Sequence, residues 1–266
     1  MSLVYAAVEF DWAVFWKYVW PPTALENPLI RDGLIATVFM AVTAEVLGVV
    51  IGVIAGIGQS SRVAPLRWIF KAYILYFRGT PLTIQLALIY FGSAALGLYT
   101  FPDVHIVGIN LQGIIQAGVL GLALNEGAYM AEIVRAGVLG VEAGQWEAAK
   151  AIGMRNLQTL RFIVMPQAAR IIVPPLGNQF NQMLKSTTLV VIIGGAELFN
   201  AFQQVNAVIF KPFELFFAAS FYFLALTAIW TVIQSWMERR LDPAGRAAAR
   251  AAGSTGFFTR VFSGQR

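Results

Sequence analysis

Residues 142–166, EAGQWEAAKAIGMRNLQTLRFIVMP, form the longest polar interruption between the hydrophobic segments of this chain. Good helix formers fill the part from Gln145 to Ile152, and Glu147 and Lys150 are one turn apart, where opposite charges support a helix. Gly153 follows where a helix is expected to end, because glycine adopts the left-handed backbone conformation easily. The stretch therefore predicts a short capped helix between two hydrophobic segments, either a docking element or a simple connector.

The rest of the chain is too apolar for a water-soluble domain. Of its 266 residues 58% are hydrophobic and 12% are charged, and the mean hydropathy is +0.67. A soluble domain carries about 25% charged residues. One globular core cannot hide so much apolar surface, so we expect an all-α polytopic membrane protein. The net charge of +5 does not indicate nucleic-acid binding, because the basic residues lie between and after the apolar segments.

Five transmembrane helices are predicted within a membrane domain of residues 29–240. Their approximate bounds are 33–59, 68–98, 113–137, 162–184 and 212–237. Residues 190–204 are apolar but shorter than the roughly 20 residues of a span, which favours a re-entrant or external-face helix. Gly48, Gly52 and Gly56 recur every four residues and predict a face on which another helix approaches closely.

The two ends of the chain differ from this domain. Residues 1–28 are predicted to form an N-terminal interfacial segment, because Trp12, Trp16 and Trp20 recur at helical spacing and tryptophan favours the membrane–water interface. Residues 241–266 form a basic tail, for which we expect a cytoplasmic, largely disordered segment that contacts anionic lipid.

The distribution of basic residues predicts the orientation. Fifteen of the nineteen Lys and Arg residues fall on segments assigned to the inside, and four fall outside or in the fourth span. By the positive-inside rule the N-terminus is outside and the C-terminus is cytoplasmic. The same rule places residues 142–166 in the cytoplasm.

Polar side chains interrupt the third and fourth predicted spans. An ionised group in lipid is costly, so these side chains must face other helices, water or a counter-charge. They either tie helices together or line a path for a polar solute, and their mixed charges suit a zwitterion. Glu132 and Arg135 are expected to form a structural pair, being one turn apart. The candidates for the substrate path are Asn125 and Glu126 on the third span and a stripe of Asn178, Asn181, Gln182 and Lys185 on the fourth.

Three stretches resemble membrane permease subunits of ABC importers. Residues 147–166 reproduce the signature E-A-A-x3-G-x9-I-x-L-P, with Met165 where leucine is usual. Residues 78–86, R-G-T-P-L-x-x-Q-L, resemble the second helix of polar amino-acid permeases in particular. Residues 185–189 resemble the pattern K-D-T-S-L of the same permeases, with Ser186 in place of the acid.

The resemblance implies the type I permease fold and a set of partners. Two ATPase subunits would bind the coupling loop, residues 142–166, and would hold the ATP and Mg. A second permease subunit, identical or paralogous, and an extracytoplasmic solute-binding protein would complete a prokaryotic inner-membrane importer of polar L-amino acids, either glutamate and glutamine or basic ones. The residues implied to contact the ATPase are Gln145, Trp146, Glu147, Ala148, Ala149 and Gly153.

The chain itself is not expected to be an enzyme or to hold a cofactor. It lacks the G-x-x-x-x-G-K-[ST] phosphate loop, has no cysteine and has one histidine, His105. Two other functions stay open. An ion-coupled secondary amino-acid transporter could use the Glu126 region as a proton or sodium site, although five spans in one unrepeated chain disfavour it. A membrane scaffold could dock a cytoplasmic partner without transport, although the intramembrane polar stripe disfavours that.

Overall fold

The computed structural model of the chain describes residues 10–106 and 109–241. Its elements are mostly helical, as predicted. The first half contains α1 (Trp12–Val19), α2 (Pro21–Ala24), α3 (Pro28–Gly58), α4 (Ala64–Gly79), α5 (Leu82–Ala87), a π-helical turn (Leu88–Gly92) and α6 (Ser93–Ala95). The second half contains α7 (Gly113–Leu139), α8 (Ala143–Ala151), α9 (Asn156–Thr159), a π-helical turn (Leu160–Val164), α10 (Met165–Ser186), a 3-10 helix (Thr187–Ile193), α11 (Leu198–Ile209) and α12 (Pro212–Leu241).

Among the described residues a β-hairpin interrupts the helices. The strands β1 (Val104–Ile106) and β2 (Ile109–Leu111) form an antiparallel hairpin in the predicted external loop, with Val104 opposite Leu111. The hairpin leads directly into α7, where the Asp103 carboxylate accepts a hydrogen bond from the Gly113 N–H at 2.7 Å. That bond satisfies one of the free N–H groups at the start of the helix.

The helices α3 and α7 form the centre of the bundle. As predicted, the glycine face of α3 is the contact surface: a Cβ at Gly48 would lie 2.8 Å from the Glu126 Cβ, and one at Gly56 would lie 2.9 Å from the Ala131 carbonyl oxygen. Helices approach this closely only where side chains are absent. A core of apolar side chains from α3, α7 and α10 continues from this contact, among them Met40, Leu122 and Met183.

A larger side chain on this face is expected to destabilise the protein. The Cβ of Gly52 would collide with Met130, so Gly52→Leu overpacks the α3–α7 contact and should cost about 1–3 kcal/mol. Thermal unfolding of the purified protein measures the effect. Gly144→Leu is the matched control, because a Cβ there meets nothing within 4 Å. Equal melting temperatures for the two variants would show that α3 and α7 do not pack through this face.

Within residues 10–106 and 109–241, helix length and composition allow two to four membrane spans. By length and composition α3 and Pro212–Arg240 are each able to cross a membrane, and the bent pairs 64–79 with 82–95 and 156–193 with 198–209 would each add one. The 27-residue α7 is about 40 Å long, more than the roughly 30 Å of a hydrocarbon core, but it is not among the apolar spans because polar residues interrupt it. Five spans therefore stay a prediction.

The second predicted span is broken. The sequence suggested one helix over 68–98, whereas α4 ends at Gly79 and α5 begins at Leu82 after a bend of 112°. Pro81 causes the break, because its ring removes a backbone donor and forces Thr80 into the extended conformation (φ −119°, ψ 150°). Arg78 therefore lies at the break, with its guanidinium over the Tyr129 ring of α7.

The N-terminal helix is present as predicted but packs against α12. Phe15 is buried and stacks on Phe217 with ring centroids 5.2 Å apart. At its start the Asp11 carboxylate accepts a hydrogen bond from the Val14 N–H, which lowers the pKa of Asp11, and Lys211 lies 3.5 Å away. Pro21 begins a short second helix and does not simply end the first. The three tryptophans are exposed, while residues 1–9 and 242–266 of the predicted end segments lie outside the described residues.

Candidate functional site

The predicted docking helix exists and ends where predicted. After α8, Gly153 has φ +80°, its N–H donates to the Lys150 carbonyl at 2.9 Å, and the Met154 N–H donates to the Ala149 carbonyl at 3.0 Å. These bonds close the C-terminal end of the helix, and the left-handed conformation explains why glycine stands there. Nothing lies within 4 Å of a Cβ at Gly153, so the requirement is conformational and not spatial.

The six residues implied to contact the ATPase do not share one face. Gln145, Glu147 and Ala148 are exposed, whereas Ala149 is buried within this chain and Trp146 packs on the cluster of Val141, Val164 and Ala168. Ala149 and Trp146 therefore hold α8 against the bundle. The exposed face of α8 is what a partner could touch.

Two exposed apolar side chains extend this face and were not predicted. Ile152 is 78% exposed and Leu157 is 74% exposed, directly after α8 and on α9. A partner that covers the exposed face of α8 could also reach these two side chains. Their position next to the capped helix was the only sequence signal that could have identified them.

The docking helix is attached to α10. The Gln167 side-chain amide donates to the Gln145 side chain at 3.3 Å and to the Ile163 carbonyl at 2.9 Å. Val164 and Ala168, at the start of α10, belong to the apolar cluster on which Trp146 packs. These contacts join α8 to the start of α10.

The polar stripe of α10 opens on a groove beside α12. Asn178, Gln182 and Lys185 are exposed, and Asn181 is partly exposed. Asn181 and Lys185 line a cavity of about 610 Å³ together with Phe223, Leu224, Thr227, Ala228 and Thr231 of α12. Asn178 and Gln182 do not line this cavity, and the Asn178 side-chain oxygen accepts a hydrogen bond from the Gln234 amide at 3.3 Å.

The groove lies at the middle of α12. Residues 223–231 are the central part of a helix that runs from Pro212 to Leu241. If α12 crosses the membrane, the ammonium group of Lys185 therefore lies near the bilayer centre. The residue types of α10 and their spacing could not have predicted how deep in the membrane Lys185 lies.

Glu126 lies apart from this groove. It is buried between α3 and α10, accepts a hydrogen bond from Gln179 at 3.1 Å and faces Gly48. Glu45 of α3 is also buried, and its two carboxylate oxygens have no hydrogen-bond partner among the described residues. In residues 10–106 and 109–241 no ion pair joins Glu126 to Lys185, so the structure does not bring the two predicted charges together.

The Asn125 side chain binds backbone and side-chain groups at the break between α4 and α5. Its amide donates to the Phe77 carbonyl at 3.0 Å and to the Gln85 side chain at 2.9 Å. The buried Gln85 amide in turn donates to the carbonyls of Phe77 and Thr80 at 2.8 and 2.9 Å. Backbone groups freed by a broken membrane helix need such partners. In the sequence Gln85 stands out only as part of the pattern of residues 78–86. That pattern does not predict that the Gln85 amide binds the carbonyl groups at the break.

No metal centre is formed by the described part of the chain. Across residues 10–106 and 109–241 no three His, Asp or Glu side chains are grouped so that they could hold a metal ion. The two candidate sites are the exposed face of α8 at one end of the bundle and the groove between α10 and α12, which holds Lys185.

Comparison with known proteins identifies relatives over most of the chain. Residues 48–243 match the family model described as binding-protein-dependent transport system inner membrane component. The chain is 34% identical over 216 residues to the L-cystine transport system permease TcyB of Bacillus subtilis, covering 81% of this chain and 87% of that protein. It is also 34% identical over 238 residues to the arginine transport system permease ArgU of Corynebacterium glutamicum, covering 88% and 72%.

A solved structure shares the fold. The crystal structure of an amino acid ABC transporter with histidines superposes with a TM-score of 0.73 at 34% sequence identity, covering 82% of this chain and 97% of that one. The class is therefore the inner-membrane permeases of ABC transporters. The chain belongs to the family of binding-protein-dependent transport system inner membrane components: it is the permease subunit of an ATP-driven importer, and the ATPase is a separate subunit. The predicted importer permease is confirmed.

Proposed function

We propose that the groove between α10 and α12 is one half of the path for polar L-amino acids, and that a second permease subunit closes it. The observation that carries this proposal is Lys185, an exposed cation in the last turn of α10 that lies beside the middle of α12, a helix able to cross a membrane. A lysine at the bilayer centre costs about 2.5–3.5 kcal/mol, so it does not face hydrocarbon. Water and a partner subunit must cover it instead.

The groove has a suitable size and chemistry for an amino acid. Its 610 Å³ falls within the roughly 300–1,000 Å³ of small-molecule sites. The Lys185 ammonium group would pair with the substrate carboxylate, and the Asn181 amide would bind one of its polar groups, with Asn178 and Gln182 beside them on α10. The names of the cystine and arginine permeases among the relatives support polar amino acids as the substrate class.

Asn125 and Glu126 act on this path indirectly in our proposal. Asn125 holds the break between α4 and α5, and Glu126 joins α7 to α10 through Gln179. They are therefore positioning residues, while the substrate contacts belong to the stripe on α10.

In our proposal α10 also connects the ATPase-binding helix α8 with the groove. Two ATPase subunits would bind the exposed face of α8, centred on Glu147, in each of the two permeases. Movement of α8 would pass through Trp146 and the Val164–Ala168 contact into α10. From Ala168 to Lys185 α10 extends about 26 Å as one helix, with Pro174 and Pro175 inside it, so a rotation at the α8 end would re-orient the groove.

The orientation is part of the proposal. With α8 in the cytoplasm, five spans place the N-terminus outside and the C-terminus inside the cell, and a solute-binding protein would deliver the amino acid from outside. The basic residues near α8, such as Arg155 and Arg161, support this direction by the positive-inside rule.

Uptake by reconstituted vesicles tests the function. Vesicles that contain this chain, its partner ATPase and the solute-binding protein should accumulate a polar amino acid only with ATP. A flux driven by a proton or sodium gradient without ATPase would instead indicate a secondary transporter. Intact ATPase binding without any flux would indicate a scaffold.

A further inference from the structure

A second cavity lies between α4 and α7, away from the proposed path. It has a volume of about 470 Å³ and is lined by Gln59, Lys71, Leu75, Arg78, Tyr129 and Glu132, among others. Its walls come from α4, α7 and the end of α3, whereas the walls of the proposed path come from α10 and α12. The transport proposal does not use this α4–α7 cleft.

The α4–α7 cleft carries excess positive charge. Lys71 and Arg78 are seven residues apart on α4, which is two turns and therefore the same face. Glu132 is the acidic group of the cleft, and Arg135 already neutralises it at 2.9 Å, as the sequence predicted. Arg78 is farther from Glu132, at 3.9 Å, and within the described part of the chain Lys71 makes no ion pair. Lys71, Arg78 and Arg135 stand against the one carboxylate of Glu132, so three positive charges and one negative charge leave a net charge of +2 to attract an anion.

The surroundings of the cleft are apolar and outward-facing. Trp68, Ile69 and Leu75 on α4 are 65%, 63% and 76% exposed. In a membrane protein such side chains meet lipid. A ligand of this cleft therefore combines an anionic group with hydrocarbon, since a soluble anion would leave the apolar rim unused.

The positions of the ends of α3 and α4 indicate which membrane leaflet the α4–α7 cleft faces. Gln59 ends α3, and the Phe70 ring of α4 lies against Gly58, so the cleft opens near the end of the bundle that carries α8. The assignment of this end to the cytoplasm rests on the orientation proposed above. Lys and Arg near a cytoplasmic surface attract the anionic lipids of that leaflet.

We propose that the α4–α7 cleft binds one anionic phospholipid from the leaflet that faces α8. Lys71 and Arg78 hold its phosphate, and its acyl chain lies along Leu75. Trp68, over which the Lys71 ammonium group lies at 5.6 Å, and Tyr129, over which the Arg78 guanidinium lies at 5.6 Å, hold the two cations in place.

Lipid retention by the whole transporter tests the site. The assembled complex is placed in nanodiscs of phosphatidylcholine and phosphatidylglycerol, extracted gently and analysed by native mass spectrometry. Lys71→Gln should lower retained phosphatidylglycerol about fivefold, because it removes one cation from the phosphate. Arg62→Gln is the matched control: it removes an exposed cation at the same end of the bundle but outside the cleft.

Three results would overturn the proposal. Equal retention by the wild type and Lys71→Gln would exclude the site, and an equal loss in Arg62→Gln would reduce it to general surface attraction. Displacement of the lipid by inorganic phosphate alone would make it a site for a free anion. Because lipid retention is measured without transport, a negative result with intact ATP-driven uptake would refute the lipid site and leave the transport proposal standing.

Discussion

Replacing Glu147 by arginine is expected to abolish ATP-driven uptake while the permease still folds. Glu147 is exposed on α8 and forms no ion pair within the described residues, so its charge serves no contact inside this part of the chain. If it meets a basic or donor group in a groove of the ATPase, truncating such a pair costs about 2–5 kcal/mol, and reversing its charge costs at least as much. The predicted loss of uptake is therefore more than tenfold.

Two measurements separate lost coupling from lost folding. Co-purification should show weakened ATPase binding by Glu147→Arg, while its melting temperature should equal that of the wild type. The control is Asp32→Arg, a charge reversal at an exposed carboxylate near the start of α3, at the other end of the bundle. Wild-type ATPase binding and uptake by Glu147→Arg would show that α8 is a connector and not the docking helix.

Local signals explain what the sequence predicted well. Gly153 ends α8 with φ +80° because glycine tolerates the left-handed conformation, and that preference acts within a few residues. The glycines of α3, which recur every four residues, are also a local pattern. The Glu132–Arg135 pair is another, because the two residues are three positions apart. Such features follow from helix geometry before any tertiary contact is known.

Contacts between distant residues explain what was missed. Pro81 was visible in the sequence, yet the long apolar run concealed the break, because the partners that make it tolerable are not local. Gln85 reaches Asn125 across 40 positions, and Gln179 reaches Glu126 across 53. Only the packed bundle shows that Asn125 and Glu126 are bound by neighbouring helices and do not line the open groove.

The face of α8 was undecidable for a different reason. Alanine and glycine make up most of its nine residues, so the helix has no strong apolar stripe to orient it. The neighbouring cluster decides the question: Trp146 and Ala149 turn inward because Val141, Val164 and Ala168 offer an apolar surface. Glu147 and Ala148 are thereby turned outward, together with Ile152.

Neutralising Lys185 is expected to reduce uptake about tenfold or more without weakening ATPase binding. In our proposal its ammonium group pairs with the substrate carboxylate inside the groove, and a charge-assisted hydrogen bond is worth about 1.5–3 kcal/mol. Lys185→Gln keeps most of the side-chain volume but loses the charge, whereas Lys185→Arg keeps the charge and should retain part of the uptake. ATP-driven uptake at several substrate concentrations measures the change as a higher KM, a lower maximal rate or both.

A control variant and a measurement of ATPase binding distinguish a loss of substrate binding from a loss of coupling. Lys211→Gln removes a lysine that pairs with Asp11 outside the groove, and it should leave uptake near the wild-type value. Lys185→Gln should still co-purify with the ATPase, in contrast to Glu147→Arg, because α8 lies about 26 Å away along α10. Unchanged uptake kinetics in Lys185→Gln would mean that the α10 stripe joins helices or subunits. The path would then have to be sought on another face of the bundle.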